Sequence, residues 1–307
     1  MNLRNSIFTT LFLTLISLMP LSANESNQKP TIAASTFSLY DIAKNIAANS
    51  AEVFMIMPFG VDAHSYEPSP KQMAKISKSS LVLYSGAGLE PWIEGFEFKN
   101  RALDISTFVK LRELSHDEHD HGHDHGHHHG DHGVDPHYWQ DPQNMILATN
   151  QITKELISLF PENQDIYTKN RDAYVAMLQN LDASYKSKLK ECKLDTIIVN
   201  HDAFSYLAQR YNFHAEALSG LSPEAEPSAK DMIKLIKFIK EHRVKVIFLE
   251  KFANEKTIRA IAKEANVVAD ILQPLGNITA DEAKQNLSYE DIMKINLEKI
   301  STALECK

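Results

Sequence analysis

The feature that most constrains this fold is a long stretch with nothing in it to break a helix. From Glu162 to Glu191 the sequence ENQDIYTKNRDAYVAMLQNLDASYKSKLKE contains neither glycine nor proline. Ile166, Tyr174, Met177, Leu178, Leu181 and Tyr185 fall close to one helical face, the pattern of an amphipathic helix. About 27 residues at the α-helical rise would extend about 40 Å, too far for an ordinary crossover between neighbouring strands. The apolar seam is too irregular for sustained heptads. The expectation is therefore a rigid strut joining two lobes, here residues 162–191.

On both sides of that strut, short apolar runs alternate with amphipathic stretches. Before it, strands are expected at Thr31–Thr36, Val53–Met57 and Leu81–Tyr84, with helices over Ser38–Ala48, Pro70–Ser79 and Gln143–Phe160. After it, strands are expected at Thr196–Asn200, Lys245–Leu249 and Val267–Leu272, with helices over Ala203–Tyr211, Ala229–Glu241, Lys256–Ala265 and Ser288–Leu304. Such alternation implies an α/β fold, here two lobes with mostly parallel sheets joined by one long backbone helix. The lobes are placed at residues 24–161 and 192–307. Internal duplication is plausible at the level of fold, although no sequence repeat is visible.

Residues 1–23 combine a cationic start at Arg4, an apolar run from Ile7 to Met19 and a small residue at Ala23. That is the pattern of a secretory signal peptide. Removing it takes 23 residues from 307 and leaves 284. The net charge of −8 loses one cation, Arg4, and becomes −9, which argues against a nucleic-acid partner. An exported, soluble, periplasmic monomer is expected. Cys192 and Cys306 are the only cysteines, and an even count in an exported chain favours a disulfide over two free thiols.

Chemistry concentrates in SHDEHDHGHDHGHHHGDHGVDPHYWQDP, residues 115–142. Nine of the fourteen histidines lie between residues 116 and 132: His116, His119, His121, His123, His125, His127, His128, His129 and His132. Imidazoles interleaved with carboxylates handle metal cations. The glycines and the lack of apolar residues give the tract little with which to offset the entropy of ordering, so 115–133 is read as a surface loop of auxiliary, weak sites. His127, His129, Asp131 and His132 also fit an HxHxDH hydrolase spacing, but no apolar strand precedes them to orient such a motif.

Three further histidines stand in loops near strand ends: His64 after the second expected strand, His137 in DPHYWQDP, and His201 directly after TIIVN. In parallel α/β sheets ligands gather at the carboxyl ends of strands. Two of these loops belong to the first lobe and one to the second, so a shared ion would sit between the lobes. No nucleophile–base pair, HExxH or phosphate loop accompanies them, which fits binding without catalysis.

PFGVDAHSYEPSP, DPHYWQDP, VNHDAFSYLAQRY and GLSPEAEPS resemble the signature segments of the metal-binding solute receptors of ABC importers, particularly the zinc-uptake, Znu-type branch. The resemblance covers essentially the whole mature chain. It implies capture of Zn2+ in an interlobe cleft, delivery to a membrane permease, and His64, His137 and His201 as ligands. Manganese-type relatives usually carry Glu where this chain has His201, and a third imidazole suits zinc. A metal-linked adhesin on the same scaffold is an alternative. The family's LDPLG phrase is LQPLG here, with Gln273 in place of the aspartate. Asp270, inside VVADIL, is then the candidate fourth ligand, with water as the other occupant or a salt bridge as Asp270's other role. Glu250, Asp135, Tyr138 and Asp141 are candidates to orient the ligands, and His214 and His242 are read as ordinary surface histidines.

Overall fold

The computed structural model describes residues 29–114, 133–219, 229–250 and 255–307. The expected signal peptide, the histidine tract at 115–132 and the GLSPEAEPS segment lie outside the described residues.

The first sheet contains β1 (Thr31–Ala34), β2 (Glu52–Met55), β3 (Leu81–Tyr84) and β4 (Arg101–Asp104), all parallel, in the order β2-β1-β3-β4. Helices α1 (Phe37–Ala47) and α2 (Pro70–Ile76) connect its strands. The two central strands are the apolar ones, with Ile32, Ala33, Leu81, Val82 and Leu83 fully buried, as expected for strands covered on both faces. A short antiparallel hairpin follows, β5 (Arg112–Glu113) with β6 (Val134–Asp135). Helix α3 (Pro142–Leu159) then leads to α4 (Gln164–Lys188).

The second sheet contains β7 (Thr196–His201), β8 (His214–Ser219), β9 (Val246–Leu249) and β10 (Val268–Ile271), also all parallel, in the order β10-β9-β7-β8. Its helices are α5 (Ser205–Tyr211), α6 (Ala229–Glu241) and α7 (Glu255–Ala265); α8 (Ala280–Lys284) and α9 (Tyr289–Ala303) complete the chain. Numbered within its own lobe and read from the other edge, this order equals that of the first sheet. The duplication therefore exists in topology. In both sheets the order of strand addition reverses between the first and third strands, which is the switch point where α/β folds bind ligands.

Four strands were not anticipated from sequence: the two-residue β5 and β6, too short to show a pattern, and one in each large sheet. β4 reads RALD and β8 reads HAEALS, and both lie at sheet edges. Edge strands tolerate charge because one face of their backbone pairing is open, so they lack the apolar run that betrays a central strand.

The strut is α4, 25 residues long and so about 38 Å. Its buried positions are Tyr167, Tyr174, Leu178, Leu181, Asp182 and Tyr185. Ile166, expected on that face, is half exposed; one residue is 100° of helix, and Tyr167 takes the inward place. Three tyrosine hydroxyls pin the strut. Tyr167 meets Ser50 Oγ at 2.9 Å, Tyr174 donates to Asp41 Oδ2 at 2.7 Å, and Tyr185 donates to the Met293 carbonyl at 2.6 Å. α4 thus packs on α1 and α3 of the first lobe and on the C-terminal α9. Cys192 and Cys306 form a disulfide that ties the entry of β7 to the chain's tail.

Candidate metal centre

His201 is the last residue of β7, and Glu250 directly follows β9. β7 and β9 are neighbours, so this histidine and this carboxylate straddle the switch point of the second sheet. His137 lies just beyond β6, and His64 sits in the loop after β2. These separate loops bring three imidazoles together. His137 Nε2 lies 3.2 Å from His64 Nε2 and 3.4 Å from His201 Nε2. Among the described residues, His64, His137 and His201 form the one group of three or more potential metal ligands, with ligand atoms all within 4.8 Å of one another.

The tautomers follow from the outer partners. His137 Nδ1 faces Asp135 Oδ1 at 2.8 Å, and His201 Nδ1 makes a short hydrogen bond to Glu250 Oε1. An ionised carboxylate only accepts, so each Nδ1 carries the proton and each Nε2 presents a lone pair. The His137 and His201 lone pairs, facing each other at 3.4 Å, repel unless a cation lies between them, and His64 Nε2 stands 3.2 Å from His137 Nε2. Two nitrogens each about 2.0–2.1 Å from a tetrahedral zinc are separated by about 3.3 Å, so the geometry fits such an ion. Orientation of a ligating imidazole by a carboxylate on its second nitrogen is the usual arrangement at zinc sites.

Electrostatics points the same way. Burial, reinforced by the neighbouring His137 and His201, holds the His64 ring far below the usual histidine range, at about 3. His64 is therefore neutral and able to ligate. Burial alone would lower His201 as well, but the charge and hydrogen bond of Glu250 outweigh it and raise the ring's affinity for a proton. Asp62 and Asp202 add to that negative field. Asp135 is held below its usual value: burial opposes this, and the His137 and Ser205 hydrogen bonds prevail. The surrounding cavity is about 30 Å³, whereas pockets for organic ligands run to about 300–1,000 Å³.

The His137 loop, which belongs to the first lobe, is fastened to the second. Asp135 Oδ2 accepts from Ser205 Oγ, the Asp135 carbonyl accepts from Tyr206 Oη at 2.7 Å, and Tyr206 Oη accepts from the Arg112 N–H at 2.9 Å. Trp139 Nε1 and Gln140 Nε2 donate to the Pro274 carbonyl at 2.7 and 2.6 Å. Ser205, Trp139 and Pro274 carry no ligand signature in sequence, and only the fold reveals them.

Other expectations resolve differently. Asp270 is not brought to the cluster. Its Oδ1 pairs with Lys299 Nζ at 2.8 Å and accepts from the Ile271 N–H at 2.7 Å, so a lysine 29 residues away offsets its charge instead of a metal. The carboxylates that contact the triad are Glu250 and Asp135. Asp141 caps α3, accepting from Gln143 N–H at 2.8 Å, and lies 3.2 Å from Arg210 Nε. Tyr138 is buried edge-on against Trp139, without a hydrogen bond to the triad among the described residues. His214 is exposed beside Glu216, and His242 stacks on Phe238. None of the nine tract histidines falls within the described residues.

Residues 32–303 match the family "Zinc-uptake complex component A periplasmic", ZnuA. The chain is 34% identical over 292 residues to the "High-affinity zinc uptake system protein ZnuA" of Bacillus subtilis, covering 93% of this chain and 91% of that protein. It is 31% identical over 287 residues to the zinc-binding lipoprotein AdcA of Streptococcus pneumoniae, covering 89% of this chain but only 55% of AdcA. Among solved structures, the Zn(II)-bound ZnuA-like domain of that AdcA superposes with a TM-score of 0.75 at 28% identity, over 90% of this chain and 99% of the domain. The laminin-binding protein Lmb of Streptococcus agalactiae, described as bifunctional with adhesin and metal-transporting activity, superposes at 0.80 with 30% identity, over 90% of this chain and all of Lmb. The match spans nearly all of the described chain, and the protein belongs to the ZnuA family of zinc-uptake solute-binding receptors.

Proposed function

We propose that this protein is an extracytoplasmic receptor that captures one zinc ion through His64, His137 and His201 and delivers it to the membrane permease of an ABC importer. The observation that carries the reading is the convergence of three imidazole Nε2 atoms, two of them with lone pairs oriented by buried carboxylates. Three nitrogens with water in the fourth position suit zinc, whereas manganese prefers oxygen ligands. The chain works as a monomer in the periplasm after losing residues 1–23, with lobes at 24–161 and 192–307 joined by 162–191. No described helix is long and apolar enough to cross a membrane. The protein binds and hands on its ion without catalysing a reaction, in keeping with its family of solute-binding receptors. His116–His132 supply weaker zinc sites outside the cleft.

The test is a chelator competition on the triple variant His64→Ala, His137→Ala, His201→Ala. Loss of the single tight site with the fold retained is expected, because the site lies between the lobes rather than in either core. Affinity equal to wild type would overturn the assignment.

A further inference from the structure

The three ligands are not held alike. His137 and His201 each have Nδ1 fixed by a buried carboxylate, and Ser205 and Tyr206 at the start of α5 lock the His137 loop to the lobe that carries His201. These two rings form one unit. The His64 ring is half-buried and, among the described residues, its Nδ1 has no hydrogen-bond partner. What sets the place of His64 must therefore act through its backbone loop.

That loop is gripped by the segment that follows β10. Asn277 is 4% exposed, and its Nδ2 donates to the Pro58 carbonyl at 2.7 Å and to the Val61 carbonyl at 2.8 Å. Between those two carbonyls, the Gly60 N–H donates to the Ile278 carbonyl at 3.0 Å. Gly60 has φ of 82°, a conformation natural to glycine, and the loop thereby turns both carbonyls onto one amide. Asn277 Oδ1 accepts from the Ile278 N–H at 2.8 Å, which fixes the direction of the amide. The same segment accepts from Trp139 and Gln140 through Pro274 O, and from the Phe37 N–H through Gly276 O at 2.9 Å. Residues 274–278 thus brace both first-lobe ligand loops, through the Trp139–Gln140 backing for His137 and through Asn277 for His64.

We propose that Asn277 is the positioning residue for His64: its amide clamps the His64 loop to the segment after β10, so that His64's hold on the ion lasts only while that clamp holds. This rests on the triad reading above. His137 and His201 receive the ion as a preformed pair, and His64 closes over it. Loss of the Asn277 contacts frees the His64 loop and leaves the ion on His137 and His201, from which it passes to an acceptor.

The experiment follows release of one equivalent of zinc from the full chain into excess chelator by stopped flow. Asn277→Asp keeps the shape and the acceptor oxygen while removing both donors. Release is expected to quicken about ten- to hundredfold, the scale set by losing one or two net hydrogen bonds. In a His64→Ala background the same substitution should change release less than about twofold, since a residue acting through His64 has nothing left to act on. Asn277→Ser, read through the same cycle, serves if the aspartate variant does not fold. An unchanged rate, or an equal acceleration in the His64→Ala background, overturns the role of Asn277. If His64→Ala alone leaves release unchanged, it is the triad assignment that fails.

Discussion

Replacing Glu250 with Gln should weaken zinc binding more at pH 8 than at pH 6. Glu250 is 3% exposed and bonds His201 Nδ1. An ion on His201 Nε2 would lie about 6 Å from the carboxylate, and at an effective dielectric constant of about 20 a dication and an anion at that range attract by about 5 kcal/mol. Glutamine can still accept the Nδ1 proton, so only part of this is lost; removing such partners typically costs about 10- to 100-fold in affinity, roughly 1.4–2.8 kcal/mol. Glu250 also raises the His201 pKa in the metal-free protein. Below that raised pKa, zinc must expel a proton that Glu250 itself stabilises through its charge and hydrogen bond. The two effects of the carboxylate then largely cancel, so the gap between variant and wild type should narrow as pH falls. Chelator competition at both pH values measures this. Equal affinities at pH 8, or a gap that widens toward acid, would refute the reasoning.

Three other expectations are direct. Asp270→Asn should leave zinc affinity within about twofold, because Asp270 is paired with Lys299 rather than aimed at the triad; calorimetric titration checks it. Deleting residues 115–132 should reduce the number of ions bound while keeping one tight site and its thermal shift, since His64, His137 and His201 all lie outside the deleted stretch; loss of the tight site would favour a role for the tract in primary binding. Cys192→Ser with Cys306→Ser should lower unfolding stability by about 2–5 kcal/mol, because the bridge closes a loop of 114 residues and so restricts the unfolded chain. Denaturant titration measures that loss, and zinc affinity of the folded variant should be unchanged.

The α/β alternation and the long helix were legible because they rest on local periodicity. Central strands announce themselves as apolar runs such as LVLY and TIIV, whereas β4 and β8 do not. The three histidines were legible because strand ends and the surrounding phrases marked them. What sequence could not supply was pairing across the chain. Asp270 reads as an uncompensated acid until Lys299 is seen beside it, and nothing in LQPLGN indicates that Asn277 reaches carbonyls more than 200 residues earlier. Ile166 and Tyr167 differ by one step of helix phase, which an irregular seam leaves open.

The most direct measurement is an anomalous difference map at the zinc edge from crystals of the protein loaded with one equivalent of metal. The expected result is a single strong peak between His64, His137 and His201, about 2.0–2.1 Å from each Nε2. A principal peak in the histidine tract, or one that leaves any of these three imidazoles uncoordinated, would contradict it.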